Sequence, residues 1–321
     1  MGEFDLIKQY FTRPVRRAVL GIGDDCALLA PTPGMQLAVS SDMLVEGRHF
    51  LSTVAPQRLG HKALAVNLSD LAACGAQPLA FTLALAMPRV DEAWLAGLAE
   101  GLFALADRHD IELVGGDTTA GPLNLCITVF GEVPPGRALR RDGARAGDAL
   151  WVSHPAGGGI GDARLALEVF RGQVALPGDN FESVRQAMEC PQPRVALGLA
   201  LRGLATSAID LSDGLVGDLR HVLQRSGVGA CIEVDAVPVS DVLARQPLAL
   251  RRECTLAGGD DYELLFTAPA HAQAAVLAAA AQAGVAVSCI GRIEAEAGLR
   301  LRDGRGEFLA ALPRGFDHFS G

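Results

Sequence analysis

Apolar residues recur along this chain with two different periods. Between Pro56 and Cys74 they fall at Leu59, Ala63, Val66 and Leu71, a helical spacing, and Pro56 suits a first helical turn. A second helix is predicted over Asp91–His109, with Asp91 as its N-cap and Trp94, Leu95, Leu98, Leu102 and Leu105 as its inner face. A short amphipathic helix is expected at Glu3–Phe11, stopped before Pro14. Strand-like runs occur at Cys26–Ala30, Gln36–Ser40, Leu79–Met87, Ile111–Val114 and Leu123–Val133.

The polar stretch Arg137–Asp148 interrupts this pattern and reads as a linker. Beyond it the rhythm restarts. A strand at Ala149–Ser153 leads to the glycine loop HPAGGGIGDA and a helix reaching Phe170. A helix at Arg194–Leu204, a strand at Ser207–Asp210 and a helix at Leu215–Arg225 follow. Strands at Gly229–Val234, Tyr262–Thr267 and Val285–Ile293, with a helix at Ala270–Ala283, complete the pattern. Helices and strands mix without a strict βαβ rhythm, so the expected class is α/β (α+β), two domains with mixed sheets. The expected domains are residues 1–140 and 141–321.

Seven aspartates carry the candidate chemistry: Asp24 and Asp25 in GIGDD, Asp42 in SSD, Asp70 in NLSD, Asp117 in GGD, and Asp210 and Asp213 in IDLSDG. Each motif is read as the end of an apolar run. One such aspartate is usually a cap or turn former. Seven with small neighbours point instead to a shared pocket, where carboxylates need counter-charge to stay ionised together. All-oxygen donors suit Mg²⁺, and a pocket of several Mg²⁺ ions suits phosphate chemistry. The loop Gly157–Gly161 has no following Lys and is not GxGxxG, so by itself it reads as a tight turn.

Composition narrows the partners. Net charge is −9 without a basic cluster, which argues against nucleic acid and anionic membranes. The seven cysteines include no CxxC pair and are expected as buried, reduced thiols. MGEFDLIKQYF lacks the pattern of a signal peptide, and the apolar window at Ala270–Gly284 is about 15 residues, too short for a bilayer. A cytoplasmic protein is expected.

The motifs GIGDDCALL, SSDMLVEGRHF, KALAVNLSDLAACGAQP, GGDTTAGPL, SAIDLSDGL and GGDDYEL, in this order, resemble the thiamine-monophosphate kinase family. That family belongs to the aminoimidazole-ribonucleotide synthetase-like superfamily. The resemblance covers nearly the whole chain and is weakest over about Ser153–Glu189. It implies transfer of the ATP γ-phosphoryl to thiamine monophosphate, with several Mg²⁺ ions. It also implies a homodimer whose N-terminal strands form a shared barrel. Matched motif by motif, the implied Mg²⁺ ligands are Asp25, Ser40, Ser41, Asp42, Asp70, Asp117, Asp210 and Asp213. The implied ATP contacts are Gly116, Asp117, Arg141 and Ser212, and the implied substrate contacts are His49, Asp260 and Phe316. Two positions depart from the family pattern: Asp260 replaces a usual Glu, and Met43 replaces a usual Thr. A phosphate monoester has a second pKa of about 6, so the acceptor is already nucleophilic at neutral pH. Catalysis then needs positioning and charge neutralisation rather than a general base. The alternatives are another ATP-dependent synthetase of the superfamily, or a noncatalytic Mg²⁺/nucleotide-binding regulator.

Overall fold

A computed structural model describes residues 2–310. The chain divides into two compact units. The first runs to Gly136 without Ala72–Gly75; the second comprises Ala72–Gly75 and the chain from Arg137 onward.

The first unit opens with α1 (Glu3–Leu6), continued by a π-helical turn at Ile7–Phe11. It then holds β1 (Gln36–Val45), α2 (Pro56–Ala73), β2 (Gln77–Met87), α3 (Glu92–Arg108), β3 (Glu112–Ala120) and β4 (Asn124–Val133). The strands form one sheet in the order β1-β4-β2-β3, with β2–β3 parallel and the other pairs antiparallel. Asp91 caps α3 as predicted, accepting the Trp94 N–H at 3.0 Å. Leu95, Leu98, Leu102 and Leu105 are buried, and in β4 Leu125, Ile127 and Val129 are buried at a period of two. These faces supply the core.

Two strands run further than their polar residues suggest. The polar triplet Ser40-Ser41-Asp42 reads as a strand end, yet β1 continues through it to Val45. Its register with β4 is unbroken from Gln36↔Val133 to Val45↔Asn124. Likewise β3 passes through Gly115-Gly116-Asp117 to Ala120. Ladder pairing overrides local propensity in both. Asp42 and Asp117 therefore lie within strands, not at their ends. Conversely, Cys26–Ala30 is not a strand; it makes one isolated bridge, Leu20↔Leu28.

The second unit contains β5 (Asp148–His154), α4 (Asp162–Phe170), α5 (Gly178–Glu189), α6 (Val195–Ala200), β6 (Ser207–Asp210), α7 (Leu215–Ser226) and β7 (Gly229–Glu233). It continues with α8 (Asp241–Ala244), α9 (Leu248–Ala257), β8 (Leu264–Pro269), α10 (Gln273–Ala283), β9 (Ala286–Glu294) and β10 (Gly298–Arg302). The sheet order is β10-β7-β9-β5-β8-β6, again mixed, with only β10–β7 parallel. Its main core includes Leu150, Ile209, Leu219, Ile232, Leu265 and Ile290. A separate small core joins α4, α5, α8 and α9 through Leu165, Val184, Leu243 and Cys254. The sequence pattern did not reveal α5. Among its residues only Val184, Met188 and Glu189 are buried, so its apolar stripe is narrow. The cysteines are all free, but Cys26, Cys74 and Cys289 are exposed rather than buried. Among the described residues no helix is long and apolar enough to cross a membrane.

Candidate functional site

In the first unit, strand alternation sorts the β1 polar triplet onto two faces. Ser40 Oγ donates to Asp70 Oδ2 of α2 at 2.5 Å. The Asp42 N–H donates to Asn67 Oδ1 at 3.1 Å, and Asn67 is fully buried, its amide held by the Ala63 carbonyl. These two bonds tie β1 to α2. Ser41 alternates to the opposite face, where its Oγ meets Thr128 Oγ1 at 2.9 Å and donates to the Ile127 carbonyl at 3.2 Å. The sequence grouped Ser41 with Ser40 and Asp42; the pleat sets its hydroxyl on the face opposite the Ser40 hydroxyl and the Asp42 carboxylate.

A cavity of about 820 Å³ is lined by Asp24, Asp25, Gly115, Gly116 and Asp117 on its polar side. Phe4, Ile7, Phe11, Leu83, Leu113 and Val114 supply apolar wall, and Lys8 also lines it. Gly116 is obligatory here. Its φ is +148°, and a Cβ at this position would sit 1.8 Å from the Leu83 carbonyl oxygen of the neighbouring strand. That close approach carries Asp117 to the cavity edge. The segment leading to Gly23–Asp25 is anchored by Glu112 at the start of β3. The buried Glu112 carboxylate accepts the backbone N–H groups of Arg16, Arg17 and Ala18 at 2.7–3.2 Å. Burial alone would raise the Glu112 pKa; the three N–H groups and Arg16 bring it below 4.5. His49 accepts the Val45 N–H on Nδ1 at 3.0 Å, so the hydrogen of its neutral form is on Nε2.

In the second unit, Asp210 ends β6, and Ser212 and Asp213 occupy the turn before α7. Asp218, one turn into α7 and buried, accepts the N–H groups of Ser212 and Asp213 at 3.1 and 3.0 Å. Burial, with Asp210 and Asp213 nearby, pushes Asp218 up to about 8 despite those bonds. The same turn supports a second loop: Asp260 N–H donates to the Ser212 carbonyl and Tyr262 N–H to the Leu211 carbonyl, both at 2.8 Å. Glu263, at the end of that loop, is buried and paired with Arg194 and Ser153. Arg141 is exposed, its carbonyl accepting the Ser226 hydroxyl. Phe316 lies outside the described residues.

The sequence reading missed Asn67, Glu112, Arg194, Asp218 and Asp261. Asp261 stood inside the quoted GGDDYEL motif, and Asp218 stands one turn beyond LSDG. Arg194 left no signal, since only the fold sets it beside Glu263. Among the described residues, no three His, Cys, Asp or Glu side chains are grouped so as to hold a metal ion. Within each unit the anticipated donors lie in smaller groupings, Ser40 with Asp70, Asp24 and Asp25 with Asp117 at one cavity, and Asp210 with Asp213 beside Asp218. Their donors are nonetheless carboxylates and hydroxyls, a set that fits a hard divalent cation.

Residues 23–133 match the family described as AIR synthase related protein, N-terminal domain, and residues 145–304 match its C-terminal domain. The chain is 46% identical to thiamine-monophosphate kinase of Salmonella typhimurium, covering 99% of this chain and 98% of that protein. It is similar to the crystal structure of thiamine-monophosphate kinase from Stenotrophomonas maltophilia K279a (45% identity, TM-score 0.83, 89% of this chain and 91% of that one). It is also similar to AaThiL complexed with AMPPCP and TMP (28% identity, TM-score 0.77, 90% of this chain and 89% of that one).

Proposed function

This chain belongs to the thiamine-monophosphate kinases of the AIR-synthase-related family, and from that premise we propose how its residues carry the reaction. It is a kinase that transfers the γ-phosphoryl group of ATP to thiamine monophosphate, giving thiamine diphosphate. The acceptor phosphate attacks directly, without a general base, because it is already largely dianionic at neutral pH.

The nucleotide lies in the first unit's cavity, its base against the apolar wall and its phosphates toward Gly116 and Asp117. The carrying observation is that one cavity is lined both by apolar side chains, among them Phe4, Ile7, Phe11, Leu83 and Leu113, and by Asp24, Asp25 and Asp117. In the first unit Asp25, Ser40, Asp42, Asp70 and Asp117 would hold Mg²⁺, while the Ser41 hydroxyl, on the opposite face of β1, stands apart from that group. In the second unit Asp210 and Asp213 hold Mg²⁺, while Ser212 and Arg141 contact ATP. Bound Mg²⁺ would neutralise phosphate charge and align donor and acceptor. His49 and Asp260 orient the acceptor, and Phe316 stacks on one of its rings. The protein works in the cytoplasm as a homodimer. Support for the dimer is the exposed apolar side of edge strand β1, where Leu37, Val39, Met43 and Val45 alternate outward.

The test is a coupled assay of ATP consumption and thiamine diphosphate formation, with thiamine monophosphate, thiamine or no acceptor, with and without Mg²⁺. Product is expected only with thiamine monophosphate and Mg²⁺. Asp42→Asn and Asp117→Asn should each lower kcat roughly 100-fold with the fold intact. Undiminished turnover in both variants refutes the metal-ligand assignment.

A further inference from the structure

The reaction leaves two features of the second unit unused: the glycine loop at Gly157–Gly161, and the second aspartate of GGDDYEL. The structure joins them. Asp261 Oδ1 accepts the Gly161 N–H at 2.7 Å. Two further donors of the glycine loop are engaged, Gly158 N–H by the Pro155 carbonyl and Ile160 N–H by the Pro238 carbonyl, both at 3.0 Å. The Gly158–Pro155 bond closes a tight turn at the start of the loop. Gly161 has φ +92°, and a Cβ there would come 2.8 Å from the Cys254 backbone, so its N–H is presented in one fixed direction.

The partner loop is strained. Among the described residues, only Asp110, Asp260 and Tyr262 are non-glycine residues with positive φ, and two of them flank Asp261. Asp260 has φ 64° and Tyr262 φ 52°. Such a backbone persists only where its surroundings hold it. Its holds include the two backbone bonds to Ser212 and Leu211, then the Glu263–Arg194 pair, and third the Asp261–Gly161 bond. The first two secure the loop at the Leu211–Ser212 turn and at its end. The third ties its centre to the α4 side.

We propose that Asp261 is a positioning residue for the acceptor, holding the Gly258–Glu263 loop to the glycine turn so that Asp260 is presented to thiamine monophosphate. The inference rests on the reading of Asp260 as an acceptor contact. Burial, with Glu263, Asp162 and Asp260 as neighbouring acids, holds the Asp261 carboxyl well above the ordinary aspartate value, against the Gly161 bond. An amide keeps an oxygen that can accept the Gly161 N–H, so asparagine can stand in for the acid.

The test compares Asp261→Ala, Asp261→Asn and Asp260→Ala by steady-state kinetics, with thermal melts to verify folding. Asp261→Ala should raise KM for thiamine monophosphate about 10-fold or more with KM for ATP within about twofold. Asp261→Asn keeps the acceptor oxygen and should stay within about threefold of the parent. Asp261→Ala with an unchanged acceptor KM, or with both KM values raised alike, overturns the proposal. So does Asp261→Asn raising the acceptor KM 10-fold, a result readable even if the alanine variant does not fold. Asp260→Ala with an unchanged acceptor KM removes the Asp260 contact alone; the Asp261 result then still decides whether the loop is held for the acceptor.

Discussion

Replacing Glu112 by Gln tests whether one buried carboxylate fixes the segment that delivers Asp24 and Asp25. The Arg16 N–H donates to Oε1, the Ala18 N–H to Oε2, and the Arg17 N–H is shared between both oxygens. An amide has only one acceptor oxygen, so whichever way it turns, either Arg16 or Ala18 loses its partner. These N–H groups are part-buried, so losing one partner costs about 1–2 kcal/mol, and loss of charge weakens the remaining bonds by roughly 0.5–1 kcal/mol each. The expected destabilisation is about 3 kcal/mol, a Tm decrease of roughly 6–12 °C for a unit of this size. Arg16→Ala is the control. Its side-chain partners are Asp110 and Glu112, and its guanidinium is largely exposed, so removal should cost under about 1 kcal/mol. The pH dependence gives a second readout. Because the folded Glu112 pKa lies below its ordinary value, its contribution is full at pH well above the ordinary glutamate value and is lost as pH falls through the folded value. Glu112→Gln should flatten that part of the stability curve. Urea denaturation at pH 7 and at stepped acid pH measures both effects. A variant as stable as the parent at pH 7, with the same acid profile, refutes the anchoring role.

Three further outcomes are expected. Arg194→Ala should destabilise the second unit by about 3–5 kcal/mol in urea melts, because it strands the buried Glu263 carboxylate; a change under 1 kcal/mol contradicts this. Gly116→Ala should cost about 1–3 kcal/mol or more and depress activity, since its Cβ meets the Leu83 carbonyl at 1.8 Å; a fully active, equally stable variant contradicts the close approach. If the parent sediments as the proposed dimer, Val39→Asp, at an exposed apolar position of β1, should sediment as a monomer without unfolding; a parent that is monomeric, or a variant that stays dimeric, contradicts the β1 interface.

Much of this protein is legible without coordinates because its signals are local. The helical spacing of Leu95, Leu98, Leu102 and Leu105, the Asp91 cap and the alternation along β4 each follow from residues within a few positions of one another. The ordered set of aspartate motifs likewise marked the family. Pairing and burial depend on distant residues, and there the tertiary structure decided. It carried β1 through Ser40-Ser41-Asp42 because β4 supplied an unbroken ladder, and the pleat then set Ser41 opposite its neighbours. It brought Glu112 under the Arg16–Ala18 backbone and Gly161 onto Asp261, across about a hundred residues in each case. Local sequence sets which conformations a segment prefers; which buried acid meets which N–H is fixed only when the chain closes those long loops.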